Sequence, residues 1–161
     1  MPLKWKPIQQ VNYIVVHCAA TTEDQDIGAE EIRSWHLQRG WLDIGYHKVI
    51  RRDGTIEDGR LLTTPGAHAR GYNHVSWGIC LVGGVESDNK TPEANFTHPQ
   101  WESLLWLVAD MKREAPNAEV LGHCDLPNVN KACPSFDVRK WWEQMNTPRC
   151  QVVDLHPDDT D

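Results

Sequence analysis

Apolar positions fall along the chain in two rhythms, short unbroken runs and longer stretches at helical spacing. Tyr13-Ile14-Val15-Val16-His17-Cys18 is a β-branched run that predicts a buried strand ending near His17, and Trp77 to Gly84 predicts another, its two terminal glycines letting the chain turn sharply as it leaves the sheet. Glu119-Val120-Leu121 predicts a last short strand that delivers His123 as the first delivers His17. Gly45 to Arg51 and Ile56 to Asp58 flank Asp53-Gly54, which predicts a hairpin. Strict alternation there places Tyr46, Lys48 and Ile50 on one face and His47 and Val49 on the other. One of Tyr46 and His47 is then structural.

Helical spacing follows the first strand. A helix is predicted from Ala29 to Arg39, with Ile32, Trp35 and His36 on its apolar side and Gly40 as its stop. Thr97-His98-Pro99-Gln100 matches a capping box, and Trp101, Leu104, Leu105 and Val108 form the core-facing stripe of a helix reaching Glu114, widened by Trp106 and Leu107. Ser135 is expected to cap a final helix, Phe136 to Met145, anchored by Trp141 and Trp142. Residues 59–77, rich in Gly, Pro, His and Asn, form a long loop of the functional or mobile kind.

Strands alternating with helices over 161 residues predict one α/β domain, and 40% hydrophobic with 24% charged residues is ordinary for a globular chain. Residues 1–10 read as an N-terminal arm, 11–148 as the domain, and 149–161 as an acidic, disordered tail. A net charge of −7 without a Lys/Arg-rich run argues against a nucleic-acid partner. No apolar run approaches the roughly 18 residues of a membrane span, and the first residues lack a secretory signal, so a cytosolic product without membrane insertion is expected. Five cysteines in a reducing compartment predict thiols or metal ligands, with Cys80 a core residue.

The chemistry concentrates between Gly122 and Pro134, an irregular segment holding His123, Lys131 and Cys133. Two imidazoles, from His17 and His123, and the Cys133 thiolate make a donor set that suits zinc, and three protein ligands are the number of a catalytic site. Taken singly, His17 also reads as a satisfied core histidine, and the spacing of His123 and Cys133 is weak evidence for metal. Cys124, adjacent to His123, is poorly placed to share its ion. Metal-assisted amide hydrolysis also needs oxyanion stabilisation and a proton for the leaving nitrogen, and Tyr46 and Lys131 are the candidates. His68 either lines a substrate groove or is a solvated loop residue.

The motifs Tyr-Ile-Val-Val-His17-Cys-Ala-Ala-Thr, Gly-Tyr46-His-Lys-Val-Ile-Arg-Arg-Asp-Gly-Thr, Gly-Ala-His68-Ala-Arg-Gly-Tyr-Asn, Leu-Val-Gly-Gly, Asn-Phe-Thr and Lys131-Ala-Cys133-Pro-Ser-Phe-Asp resemble the zinc N-acetylmuramoyl-L-alanine amidases of type 2. Within them the likeness is to the endolysins of T-odd coliphages, and more distantly to animal peptidoglycan recognition proteins. It extends from about residue 11 to 146. The resemblance implies a central mixed β-sheet flanked by helices, Zn2+ on His17, His123 and Cys133, and catalytic assistance from Tyr46 and Lys131. It implies cleavage of the amide between N-acetylmuramic acid and L-alanine in peptidoglycan by a monomer that gathers in the host cytoplasm and meets the wall after membrane breach. A muropeptide-recycling enzyme would share these features. Ser135 stands where the family often has glycine.

Two other roles accompany this reading. Some relatives keep the groove but lose the cysteine and only bind peptidoglycan, against which Cys133, Tyr46 and Lys131 all count. Some phage amidases also bind and inhibit a phage RNA polymerase, for which the N-terminal arm is the place to look.

Overall fold

The computed structural model describes residues 6–146, so the predicted acidic tail, Cys150 and the first half of the arm lie outside the described residues. Five strands form one mixed sheet: β1 Tyr13–Cys18, β2 Lys48–Ile50, β3 Ile56–Asp58, β4 Ser76–Leu81 and β5 Glu119–Gly122, in the spatial order β3-β2-β4-β1-β5. β2, β4, β1 and β5 run parallel, and β3 pairs antiparallel with β2 at the edge. Parallel strands covered on both faces need apolar side chains throughout, which is why β1 and β4 read as unbroken runs.

Alternation along these strands sorts the core into two layers. Ile14, Val16 and Cys18 of β1, with Trp77, Ile79 and Leu81 of β4, pack against Leu104, Leu107, Val108 and Met111 of helix α2, His98–Glu114, and against Val138 of helix α3, Val138–Met145. Each fully buried aliphatic side chain there contributes about 1.5–3 kcal/mol. On the other face, Val49 and Cys80 meet Ala29 and Ile32 of helix α1, Ala29–Gln38, while Val15 and Leu121 meet Ala69 and Leu126. By the same alternation His17 belongs to this second face.

Local signals built the helix ends as expected in two places. Thr97 Oγ1 accepts the Gln100 N–H at 3.2 Å while Gln100 Oε1 accepts the Thr97 N–H at 2.9 Å, closing the capping box. The Gln100 amide nitrogen, fully buried, also donates to the carbonyls of Ile50 and Val82, which ties α2 to the ends of β2 and β4. Gly40, with φ +87°, takes the left-handed conformation just beyond α1.

Elsewhere tertiary contacts overrode the pattern. Trp35 is 38% exposed and Trp106 59%, so neither extends an apolar face. Ile32 and His36 in α1 and Leu107 in α2 pack as expected, and Met111 joins them. The last helix is capped by Asp137, whose side chain accepts the Lys140 N–H, and not by Ser135, which has φ +77° and donates its hydroxyl to the Gly84 carbonyl. The hairpin ladder begins only at Lys48, after bends at Gly45 and His47. These bends break the alternation, so Tyr46 packs beside Val49 and not beside Ile50.

Candidate metal centre and groove

β1 and β5 end side by side, with Val16 opposite Gly122, so the residues that follow, His17 and His123, come together. Their rings lie 4.5 Å apart. His123 opens a short 3-10 turn, His123–Asp125, after which the chain loops out and returns to place Cys133 Sγ 4.0 Å from His17 Nδ1. The loop is closed by the Cys124 N–H donating to the Cys133 carbonyl at 2.9 Å. Cys124 thus serves through its backbone, and its thiol is outside the donor group.

One donor atom from each of His17, His123 and Cys133 lies within 4.8 Å of the other two, and no other such group of three occurs among the described residues. Tetrahedral zinc with N and S donors spaces them roughly 3.5 Å apart, so a small contraction gathers these three around an ion. The donor chemistry fits a metal as well. Burial, followed by the neighbouring His68 and His123, holds His17 well below its usual pKa, and burial followed by Lys131 lowers His123. Both imidazoles are therefore neutral and have a lone pair to give.

The Cys133 thiol is held well above its usual range by its hydrogen bond with Cys18 and by burial, while the same bond lowers Cys18 to about 7. Without a cation, Cys133 is the partner that keeps the proton. The backbone N–H of Cys18 already points at its sulfur, 3.1 Å away, so a thiolate on a metal is supported there.

Two further predicted residues border this group. The Tyr46 ring lies 5.1 Å from that of His17. Burial, then the Cys80 thiol and its neighbours, pushes its phenol well above the usual range, so it is a proton donor and not an anion. Lys131 is exposed and lines both the small cavity holding the donor group and an adjoining groove of about 440 Å³ walled by Trp41, Ala67, Arg70, Asn128 and Val129. A larger cavity, about 550 Å³, lies between Ile8, Leu62 and Ala115 and contains no candidate metal group, so chemistry and not size selects the site.

The rings of His47 and His36 are held by backbone. His47, fully buried, donates from Nε2 to the Thr64 carbonyl at 2.7 Å and accepts the Gly78 N–H at Nδ1 at 3.0 Å, so its structural role comes from these two bonds and not from the strand alternation, which the bends break. His36 Nδ1 accepts the Gly45 N–H at 2.8 Å. His68 touches the groove, but its ring is buried, 8% exposed, and both nitrogens are engaged by His17 and Ser76. Ser76, Trp41 and Arg70 escaped the sequence reading because nothing in their spacing marks them; they reach the site only through folding.

A mixed sheet whose parallel strands set two histidines beside a loop cysteine, next to a cleft, presents a His-His-Cys donor group able to hold a metal. The family model described as N-acetylmuramoyl-L-alanine amidase matches residues 7–136, and the chain belongs to that family. It is 48% identical to the endolysin of Klebsiella phage KP32 over 136 residues, covering 84% of this chain and 88% of that one. To the endolysin of Escherichia phage T7 it is 45% identical over 142 residues, covering 88% and 92%. Among solved structures, the N-acetylmuramoyl-L-alanine amidase LysC from Clostridium intestinale superposes with a TM-score of 0.68 at 25% identity, covering 94% of this chain and 95% of that one. Animal peptidoglycan recognition proteins match at lower identity. No helix among the described residues is long and apolar enough to cross a membrane.

Proposed function

We propose that the chain is a zinc-dependent peptidoglycan amidase that hydrolyses the bond between the lactyl group of N-acetylmuramic acid and L-alanine, acting as a phage endolysin. The observation that carries it is the convergence of the His17, His123 and Cys133 donor atoms within 4.8 Å, beside Tyr46 and Lys131 at the end of a groove. His17, His123 and Cys133 hold the ion. Three ligands suit a catalytic site, where a structural site would close with four.

A zinc ion held there supplies Lewis acidity to polarise the scissile carbonyl and to acidify water at neutral pH. Tyr46, kept protonated by burial, donates a hydrogen bond to the negative charge that develops on the carbonyl oxygen. Lys131, at the mouth of the same cavity, brings an ammonium to the leaving nitrogen, which departs with a proton as the amino group of L-alanine. The groove beyond Lys131 has room for the stem peptide, with Trp41 and Arg70 along its wall.

The test is a digest of purified sacculi with zinc-loaded and with chelated protein, scoring new L-alanine amino termini against new reducing sugar ends. Amino termini that appear only with zinc are the expected result. Sacculi that are bound but not cut would turn the reading into a recognition module, and activity surviving thorough chelation would remove the metal from it.

A further inference from the structure

We propose that His68 and Ser76 are positioning residues that fix the tautomer of His17, so that its Nδ1 lone pair, and not a hydrogen, faces the metal-binding group. This rests on the reading of His17 as a metal ligand. The argument is a count of hydrogens that starts from a group with no choice.

A backbone carbonyl only accepts, and the Tyr72 carbonyl oxygen lies 2.8 Å from Ser76 Oγ. The one hydroxyl hydrogen of Ser76 is spent there. Ser76 Oγ can therefore only accept from His68 Nε2, 3.1 Å away, so Nε2 carries the hydrogen of that ring. Among the described residues, no carboxylate is hydrogen-bonded to either ring to hold a second one. His68 Nδ1 is then a lone pair, and it lies 2.8 Å from His17 Nε2, which must donate to it. The hydrogen of His17 is now placed, and its Nδ1, on the side of Cys133 Sγ, is left as the lone pair.

Reversing the chain gives the wrong result at its far end. With its hydrogen on Nδ1, His68 would require Ser76 to abandon the Tyr72 carbonyl and would force the hydrogen of His17 onto Nδ1, where an ion must sit. Metal-bound histidines usually give their second N–H to a carboxylate, a carbonyl or water. Here a second imidazole receives it, and an imidazole accepts at one nitrogen only if something else holds its hydrogen at the other. Ser76 supplies that condition.

The His68 ring has no freedom to undo the arrangement. A Cβ at Gly78 would stand 2.6 Å from His68 Cγ, and one at Gly66 would stand 2.7 Å from its Cδ2, so the ring is pressed between two backbone segments that only glycine leaves open. The backbone N–H groups of His68 and Ala69 both donate to Asn73 Oδ1 at 3.0 Å, which pins the loop that carries it. A loop histidine is thus held as firmly as one on a strand.

The experiment uses the full chain, with zinc affinity measured by competition against a chromogenic chelator and ring protonation read by two-bond 1H–15N NMR. His68→Leu and Ser76→Ala should each weaken zinc binding, the first by roughly 10- to 100-fold. His68→Asn, whose Oδ1 can stand where Nδ1 stood, should restore most of it. Ser76→Ala should add little once His68 is Leu, because both act through one chain of bonds. In the wild type, zinc-loaded, the spectrum should place hydrogens on Nε2 of both His17 and His68, a signature available even if a variant fails to fold. A hydrogen on His68 Nδ1, or equal zinc affinity in wild type and folded variants, would overturn the relay. A wild-type protein that binds no zinc would instead overturn the metal reading beneath it.

Discussion

His17 reaches the donor group from the end of β1, with β4 and β5 hydrogen-bonded on either side, whereas Cys133 and Lys131 reach it from a loop that meets the sheet at few points. The sheet-borne side is 2% exposed at His17 and is backed by His68 and His47, each engaged at both ring nitrogens. The loop-borne side depends on the Cys124–Cys133 backbone bond, the Ser135 hydroxyl on Gly84 and the Cys18 N–H on the Cys133 sulfur, with Asn130, Lys131 and Ala132 exposed. One wall is thus pre-formed by secondary structure. The other would gain its last constraint if a metal tied Cys133 to the sheet, because a metal-ligand bond couples binding to local order.

The sharpest way to break this comparison is Cys133→Ser. It leaves the sheet-borne wall intact and should reduce sacculus hydrolysis to the level of the chelated protein, with an unchanged near-UV circular dichroism spectrum. Turnover well above that level would show that the loop ligand is dispensable. Next in size, Tyr46→Phe should lower kcat by roughly 10²–10³-fold with zinc still bound, as expected for one lost oxyanion donor. Lys131→Ala should fall in a similar range, of order 10²–10⁴-fold for lost acid catalysis. A change confined to KM in either variant would reassign the residue to substrate binding.

Acid should attack the sheet-borne wall first. Burial lowers His47 to about 4 in the folded protein, against about 6.5 when unfolded. Between these values the unfolded chain binds the proton that the folded one refuses, so stability is full above pH 6.5 and declines as pH falls toward 4. The loss from His47 alone is about 3 kcal/mol, and His36, lowered to about 4 chiefly by burial, adds in the same direction. Urea midpoints measured from pH 7 to pH 4 test this, and a flat profile would mean that His47 ionises inside the fold. The smallest effect expected is on local motion. Chelation should speed amide exchange across residues 124–135 by roughly tenfold while leaving 13–17 and 77–81 unchanged. Equal acceleration in both segments would erase the distinction between the walls.

The same contrast runs through what could be read without coordinates. Where neighbours in sequence carry the interaction, the reading succeeded: the Thr97–Gln100 box, the turn at Asp53-Gly54, and the apolar runs that form β1 and β5. Where the partner is remote, it did not. The exposure of Trp35 and Trp106, the transfer of the last cap from Ser135 to Asp137 and the facing of Tyr46 were all decided by what other elements cover. His68 is the plainest case: it borders the groove, as one of its two readings had it, but its partner His17 lies 51 positions away and its ring is buried, which neither reading foresaw.

The sequence by itself determined the alternation of strands and helices, the family, and the residue types able to bind a metal, because periodicity and local motifs are properties of short stretches. Only the tertiary structure decided which of those residues meet and which nitrogen of His17 is free to bind. Hydrogen-bond partners and burial arise from segments that the chain brings together last, and a ring nitrogen's role is set by the atom opposite it and not by its place in the sequence.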